Sequence, residues 1–293
     1  MLGFTLTAPF IDAFAKLAGK EVPIFEISAS RFLFQFVLLI PIAIYLKIKI
    51  FYTPNKNHFF FYYLRALLIL SATSFFILAV KFLPLAEAIS IFFVSPFILT
   101  ILGSVFLKEK IGIRRIFACI VGFTGALLII QPQYASFGFA SIYPIITAFC
   151  FSFYLLLTRT MSQNTDPILL QIYTSLAALS IILPILILMN GTKNIYFDPI
   201  IPETKFIFYL FGVGLASTIS HLFLTYAFKF AEVSVLAPLQ YFEIIIATFL
   251  GFIIFKDLPN AISVFGILLI ISSGIYVFLR EQKLKKSSII SKE

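Results

Sequence analysis

The chain has 293 residues, of which 61% are hydrophobic and only 12% are charged, and its formal net charge is +9. A water-soluble domain has about 25% charged residues, so this chain lacks the polar groups that would cover a surface in water. The composition therefore excludes a soluble enzyme, a secreted disulfide scaffold and a disordered chain. The apolar residues form continuous runs, which favours a helical protein embedded in the lipid bilayer over an outer-membrane barrel.

The positive charge does not indicate a nucleic-acid partner. Basic residues lie in the short segments between apolar runs and in the C-terminal tail, at Lys283, Lys285 and Lys286, where a membrane protein has its cytoplasmic positive charge. We therefore expect no binding to nucleic acid. A cleavable signal peptide is not expected either, because no basic region precedes the first apolar run and Asp12 and Lys16 interrupt it.

Ten apolar runs are predicted to cross the membrane as helices, because one span needs about 20 residues. Most of the basic residues that flank these runs lie on the same side as the N-terminus. This distribution predicts that both termini are cytoplasmic and that the protein lies in the inner (plasma) membrane. In chain order, the runs cover residues 2–18, 25–46, 60–82, 84–107, 113–130, 138–158, 167–189, 205–228, 233–255 and 262–279.

The first five runs and the last five carry matching Pro and charged residues in the same order. Because five is odd, the second copy enters the membrane from the opposite face, which is the inverted repeat typical of alternating-access transporters. We therefore predict a first repeat over residues 1–130, a second over residues 131–280 and a basic cytoplasmic tail over residues 281–293. The matched pairs are Lys16 and Arg159, Pro41 and Pro184, Lys81-Phe82 and Lys229-Phe230, Ala86-Glu87 and Ala231-Glu232, and Lys108-Glu109 and Lys256-Asp257.

Two stretches share a pattern of Pro, small residues, Gly and an acidic residue. The first is LPLAEAISIFFVSPFILTILGSVFLKEKIGIRRIFACIVGFTGALLIIQP from Leu83, and the second is APLQYFEIIIATFLGFIIFKDLPNAISVFGILLI from Ala237. Both resemble the repeat motifs of EamA-type transporters in the drug/metabolite transporter (DMT) superfamily. The residues that carry this resemblance are residues 84–88, Pro96, Glu109, Gly122 and Gly125 in the first stretch, and Pro238, Tyr241, Ala247, Gly251, Asp257 and Pro259 in the second.

The resemblance implies an all-α integral membrane protein, with ten transmembrane helices in two inverted five-helix repeats around a central cavity. It also implies secondary transport of a small polar metabolite by alternating access, with export of amino-acid-like metabolites as the leading expectation. Import or exchange of S-adenosylmethionine or a related nucleoside-type metabolite is the alternative. A membrane-embedded enzyme or receptor is a remote alternative, because the loops are too short for a catalytic domain. The sequence has no P-loop and no metal-binding cluster, so we expect no cofactor, and a coupling proton is a candidate driving force.

Two features depart from the family pattern. The chain has no Trp, so the aromatic residues of a cavity must be Phe and Tyr. The first apolar run begins directly after Met1, without the polar leader usual in the family, which leaves open a start further upstream. Small residues one helical turn apart, as at Ala118 and Gly122, permit close helix packing, so a homodimer also stays open.

Ionisable residues inside the apolar runs are candidate binding residues, because a charged group in hydrocarbon costs several kcal/mol. Glu243 lies near the middle of the ninth run, with Gln240 and Tyr241 just before it. We predict that this group binds a cationic part of the substrate or that Glu243 carries a proton; a protonated packing role is the alternative. His221 in the eighth run is either its partner or a hydrogen-bonded core histidine.

Other candidates lie in the first three runs and in the sixth. Asp12 either neutralises Lys16, one turn later, or contacts the substrate. Arg31 is predicted to bind a carboxylate or to reach the lipid headgroups, whereas Arg65, near the start of its run, is predicted to be interfacial. Tyr154 is an aromatic candidate that can stack on a substrate and donate its hydroxyl.

Two prolines are predicted to act as gating kinks. Pro96 in the fourth run and Pro238 in the ninth occupy related positions in the two repeats. A Pro inside a helix removes a backbone donor and weakens the helix at that point, so the two halves of each span can move relative to one another.

Overall fold

The computed structural model describes residues 1–49, 56–83, 85–109, 112–130, 138–255 and 261–290, and within these ranges the regular structure is helical, without a strand. This confirms the predicted all-α class. Two short 3₁₀ segments, Gly138–Ser141 and Ala237–Tyr241, accompany the α-helices. The α-helices are α1 (Leu2–Ala18), α2 (Ile24–Tyr45), α3 (Lys56–Phe82), α4 (Leu85–Phe92), α5 (Ser95–Leu107), α6 (Ile113–Ile130), α7 (Ile142–Ser162), α8 (Pro167–Met189), α9 (Thr204–Phe230), α10 (Val233–Leu236), α11 (Phe242–Phe255) and α12 (Ala261–Ile290).

Six stretches of the described residues have the length and the composition of membrane-spanning segments. The outward faces are apolar, with Val37, Ile187 and Phe208 exposed by 53%, 74% and 69%. Helices that are apolar on both their inner and outer faces are typical of a bundle in lipid. The chain is therefore a multi-pass membrane protein, while the count of ten spans and the inverted repeat stay predictions. The 6 stretches long and apolar enough to cross a membrane are Ile24–Tyr45, Phe59–Ala79, Phe139–Ser162, Pro167–Met189, Thr204–Phe230 and Val233–Leu250.

Two runs that were predicted as continuous spans are interrupted. The run over residues 84–107 is divided into α4 and α5, which are separated by a short turn. The run over residues 233–255 is divided into α10, a 3₁₀ segment and α11. Pro96 lies in the first turn of α5, and Pro238 lies inside the 3₁₀ segment. Because Pro has no N–H to donate and its ring crowds the preceding turn, the predicted kinks are full interruptions of the α-helix.

The last helix is longer than the apolar run from which it was predicted. The run ends at residue 279, whereas α12 continues to Ile290, so residues 281–290 of the predicted tail are helical. This segment is rich in Lys, Glu, Gln and Leu, which all have high helix propensity. Hydropathy therefore predicts the end of the apolar segment, and it does not predict the end of the helix.

Helices from the first half of the chain pack on helices from the second half. The main contacts join α1 to α9, α2 to α8 and α9, α3 to α7 and α8, and α6 to α12. Two glycines of α9 permit its contacts with α1 and with α2. A Cβ atom at Gly212 would lie 2.8 Å from the ring of Phe14 in α1, and one at Gly214 would lie 2.2 Å from Cβ of Phe34 in α2. The missing side chains let both Phe residues pack directly on the α9 backbone.

Candidate substrate cavity

A cavity of about 380 Å³ lies inside the bundle, lined by residues of α1, α2, α3, α9 and α11 among others. This volume is in the usual range for a small-molecule site, about 300–1,000 Å³. The lining reaches the surface on one face of the bundle, at the end of α3, at the loop between α1 and α2 and at the loop between α8 and α9. Lys20, Lys81 and Ile195 line the cavity there and are exposed.

Charged side chains of both signs line the cavity. Asp12 of α1 and Glu243 of α11 contribute carboxyl groups, and Arg31 of α2 contributes a guanidinium group. Asp12 interacts electrostatically with both Arg31 and Glu243. The cavity can therefore bind a cationic group and an anionic group of the same ligand. Among the described residues, no group of His, Cys, Asp and Glu has the arrangement to hold a metal ion.

Phenylalanine rings form much of the remaining wall. Phe4, Phe92, Phe93 and Phe151 all line the cavity. The ring centroids of Phe92 and Phe151 are 5.5 Å apart, and Phe4 meets the ring of His221 edge to face at 6.1 Å. Aromatic surfaces of this kind pack well against a planar ring of a ligand.

A chain of hydrogen bonds begins at the cavity wall with Arg31, which is only 5% exposed. Arg31 Nη1 donates to Thr73 Oγ1, and Nη2 donates to His221 Nε2 at 2.6 Å. A guanidinium group has no acceptor, so His221 Nε2 must be the unprotonated nitrogen of a neutral ring. His221 Nδ1 then carries the hydrogen and donates to Tyr154 Oη at 2.9 Å. Tyr154 Oη also accepts from Arg65 Nη2 at 2.9 Å.

The chain of hydrogen bonds ends at Arg65, which is fully buried. Arg65 Nε donates to Thr158 Oγ1 at 3.0 Å, and Nη1 donates to the Leu170 carbonyl at 3.2 Å and to Thr174 Oγ1. Its guanidinium carbon lies 4.5 Å from the centroid of the Tyr154 ring. The prediction that Arg65 is interfacial is therefore wrong: hydroxyl and carbonyl groups of α7 and α8 replace the water that an interfacial arginine would have.

A pair of buried glutamines holds the helices around His221. Gln35 Nε2 of α2 donates to Gln171 Oε1 of α8 at 2.8 Å. Gln171 Nε2 donates to the His221 carbonyl at 3.0 Å and to Thr225 Oγ1 at 2.6 Å, both in α9. Sequence reasoning missed these glutamines, although each is a polar amide inside an apolar run.

The predicted binding residues are placed in two groups. Asp12, His221 and Glu243 line the cavity, and Tyr154 lies directly behind His221. Gln240 and Tyr241 lie outside this lining.

Both of these residues are buried in the packing around the 3₁₀ segment. Tyr241 is fully buried, and its hydroxyl donates to the Phe93 carbonyl at 3.2 Å. Its ring lies where a Cβ atom of Gly122 would be, 2.4 Å from Tyr241 Cδ2. Gln240 is 2% exposed, and its Nε2 has no hydrogen-bond partner among the described residues. Their role in substrate binding stays a prediction.

The two helix interruptions contact each other beside the cavity. Phe93 lies in the turn between α4 and α5, and Tyr241 is the last residue of the 3₁₀ segment. Besides their hydrogen bond, their ring centroids are 5.6 Å apart. Glu243 follows in the first turn of α11. The position of this carboxyl group therefore depends on the geometry of the interruption.

The start of α10 is held by an acidic residue from the other half of the chain. Glu109 follows α5, and its two carboxylate oxygens accept the backbone N–H groups of Val233 and Ser234, each at 2.9 Å. The first N–H groups of a helix have no partner inside the helix, so a carboxylate at this position satisfies them. Glu109 thus joins the segment after α5 to the segment that leads to Glu243.

A bundle of apolar helices around a buried, charged cavity has the architecture of a multi-pass membrane transporter. The sequence model of the EamA-like transporter family matches residues 1–131 and 138–279. The chain therefore belongs to the EamA-like transporter family, as the resemblance of its two motif stretches implied. A solved crystal structure shares this fold with a TM-score of 0.78, at 18% identity and with 96% of both chains covered.

The relatives are membrane transporters of different small molecules. An S-adenosylmethionine uptake transporter of Rickettsia bellii is 23% identical, over 95% of this chain and 91% of the relative. A riboflavin transporter of Vibrio cholerae is 24% identical, over 98% of this chain and 93% of the relative. The pseudopaline exporter CntI of Pseudomonas aeruginosa is 24% identical, over 66% of both chains. The chain is thus a membrane transporter for a small molecule and not an enzyme.

Proposed function

We propose that the protein is a secondary transporter that takes up a cationic metabolite with an aromatic ring, and that S-adenosylmethionine is the first substrate to test. Sequence reasoning put export of amino-acid-like metabolites first and uptake of S-adenosylmethionine second. The similarity to S-adenosylmethionine uptake transporters over 95% of the chain supports the opposite order.

One observation carries this proposal: the carboxyl groups of Asp12 and Glu243, neither of which is exposed, line the same cavity as several Phe rings. S-adenosylmethionine carries a sulfonium cation and an ammonium group beside an adenine ring. Asp12 and Glu243 supply negative charge for these cations, and partly exposed rings such as Phe92 supply surface for the adenine. A carboxylate that faced lipid instead would cost about 2.5–3.5 kcal/mol, which supports a role inside the cavity.

We further propose that the chain crosses the membrane ten times, as two inverted repeats over residues 1–130 and 131–280, with a cytoplasmic tail over residues 281–293. The family model matches two separate segments, one in each half, which supports this arrangement. The contact between the interruption before α5 and the interruption before α11 also supports it. On the predicted topology, the cavity opens to the side opposite the termini, which suits uptake by alternating access.

The test is transport of labelled S-adenosylmethionine into proteoliposomes, with and without an imposed pH gradient. We expect saturable uptake that unlabelled S-adenosylmethionine inhibits. S-adenosylhomocysteine lacks the sulfonium charge and should inhibit at least tenfold more weakly, a difference of about 1.4 kcal/mol. Absence of saturable S-adenosylmethionine flux in either direction would contradict the proposal.

A matched pair of substitutions tests the role of the acidic residues. Glu243→Gln keeps the size and the hydrogen bonding of the side chain and removes its charge, so transport should fall at least tenfold. Glu26→Gln is the control: Glu26 accepts the backbone N–H of Ile200 at 3.0 Å and does not line the cavity. Transport by Glu243→Gln within twofold of wild type at every pH would assign Glu243 to packing only.

Export of an amino-acid-like metabolite is the second candidate function. The similarity to a pseudopaline exporter supports export within this family. Proteoliposomes preloaded with labelled amino acids distinguish the two functions, because an exporter shows exchange of amino acids without S-adenosylmethionine uptake.

A further inference from the structure

We infer that Arg31 binds the carboxylate of the substrate, so that the cavity recognises an α-amino-acid group through both of its charges. This inference deepens the proposed function and rests on the cavity being the substrate site. It specifies a feature that S-adenosylmethionine and free amino acids share and that riboflavin lacks.

Arg31 has unused donors at the cavity wall. Its terminal nitrogens bind Thr73 and His221, while Nε has no hydrogen-bond partner among the described residues. A guanidinium group has five N–H bonds in one plane, so one further hydrogen on each terminal nitrogen remains for a ligand, while Nε–H is enclosed by neighbouring atoms and needs a small rotation of the side chain to reach it. A buried donor without an acceptor is unfavourable, and a planar carboxylate provides two acceptors in the matching geometry.

The charges around Arg31 favour a ligand that carries both signs. Asp12 is the acidic residue that interacts with Arg31 from α1, and Asp12 in turn interacts with Glu243 of α11. The other basic group of the hydrogen-bond chain, Arg65, lies behind Tyr154. The other charged residues of the lining are exposed, namely Lys16, Lys20, Glu21 and Lys81. In the buried part of the cavity, a ligand with only a negative charge would be repelled by Asp12 and Glu243, and one with only a positive charge would offer no acceptor to Arg31. The adjacent ammonium and carboxylate groups of an α-amino acid satisfy both sides.

Two side chains hold the guanidinium group of Arg31 in place for this contact. His221 accepts from Arg31 through Nε2, and Tyr154 fixes the required tautomer by accepting from Nδ1. Gln171 Nε2 donates to the backbone carbonyl of His221 at 3.0 Å, which holds the backbone of His221 in place. Tyr154 therefore acts as a positioning residue through His221. Arg31 is the residue that touches the ligand.

The experiment measures binding to the purified full-length protein, with two ligand pairs that differ only in the carboxylate. The first pair is S-adenosylmethionine and decarboxylated S-adenosylmethionine; the second is methionine and 3-methylthiopropylamine. For wild type, we expect loss of the carboxylate to weaken binding at least tenfold. If wild type binds both ligands of a pair with equal affinity, the inference is overturned, and no variant is needed to show it.

Substitution of Arg31 gives the complementary measurement. In Arg31→Gln, binding of the carboxylate-bearing ligand should fall at least tenfold, whereas binding of its decarboxylated partner should change less than twofold. Arg31→Lys, which keeps the charge without the fork geometry, serves where Arg31→Gln does not fold, and Arg114→Gln on the exposed face of α6 is the control. An equal loss for both ligands of a pair would make Arg31 a structural residue and overturn the inference.

The two pairs separate this inference from the proposed function. If methionine binds through its carboxylate and S-adenosylmethionine does not bind, the proposed substrate is wrong and the role of Arg31 stands. If S-adenosylmethionine and its decarboxylated form bind equally, the substrate stands and the role of Arg31 is wrong. Tighter binding of riboflavin than of any ligand in the two pairs would also overturn the inference.

Discussion

Replacement of Arg65 by Lys tests whether the buried hydrogen-bond chain stabilises the bundle through its geometry or only through its charge. Lys keeps the positive charge and loses the planar fork. Arg65 makes hydrogen bonds to Thr158, Thr174, Tyr154 and the Leu170 carbonyl, and it lies over the Tyr154 ring. A single ammonium group at the end of a flexible chain cannot reach all of these acceptors together.

The expected cost follows from these contacts. Hydrogen bonds between membrane helices contribute about 0.6 kcal/mol each on average. Loss of half of the four bonds of Arg65 therefore costs about 1.2 kcal/mol, and loss of the contact with the Tyr154 ring costs about 0.5–1 kcal/mol more. The sum is about 2 kcal/mol, which corresponds to a fall in Tm of about 4–8 °C for a chain of this size.

The assay is thermal unfolding in detergent, followed with a thiol-reactive fluorescent dye. Cys119 is buried and Cys150 is half-buried, so both thiols become available to the dye as the bundle opens. Arg114→Lys, on the exposed face of α6, is the control and should leave Tm unchanged. A Tm of Arg65→Lys within 1 °C of wild type, where 1 °C is roughly the resolution of the assay, would refute the argument, because about 2 kcal/mol is expected.

Two further substitutions test helix packing and the contact between the two halves. Gly125→Ala in α6 should lower stability by about 1–3 kcal/mol, because its Cβ would lie 2.8 Å from the backbone oxygen of Gly266 in α12. Gly3→Ala is the control and should cost less, since its Cβ would meet only the half-exposed ring of Phe223; equal falls in Tm would contradict this. Glu109→Gln should lower Tm, and Glu109→Ala should lower it further, because the carboxylate caps the start of α10. The full loss of this helix cap should cost about 0.5–2 kcal/mol. An unchanged Tm of Glu109→Ala would contradict the capping role.

Sequence patterns predicted where most helices begin and end, but they did not predict that two of the spans are interrupted. Apolar runs and their Pro and Gly boundaries gave helix ends within a few residues for most helices, because the length of a span is set by the bilayer. The turn between α4 and α5 was not predicted, since the stretch ISIFFVSPF over residues 89–97 stays largely apolar and contains no charged residue. A Pro is compatible with a kink or with a break, and neighbouring helices decide between these outcomes.

Three residues that line the candidate cavity were predicted from the sequence, and the hydrogen bonds that connect the site were not. Asp12, His221 and Glu243 were identified because ionisable groups inside apolar runs are costly unless they face a cavity or a partner. The hydrogen bond from Arg31 to His221 joins residues far apart in sequence, and no local pattern predicts it. Arg65 was assigned to the membrane surface because it lies near the start of its run. Its acceptors in α7 and α8 become visible only when the helices are packed together.

The 3₁₀ segment before α11 fixes the direction of Glu243. A 3₁₀ helix turns about 120° per residue and an α-helix about 100°, so the segment Ala237–Tyr241 adds roughly 100° of rotation relative to a continuous helix. Pro238→Ala restores a backbone donor and allows the segment to become α-helical. Glu243 would then turn away from the cavity, or α10 would lose its cap by Glu109. We therefore expect at least a tenfold loss of transport with Tm unchanged or raised. Pro184→Ala is the control, because α8 continues through Pro184 without interruption. Transport by Pro238→Ala at the level of Pro184→Ala would contradict the idea that this segment sets the position of Glu243.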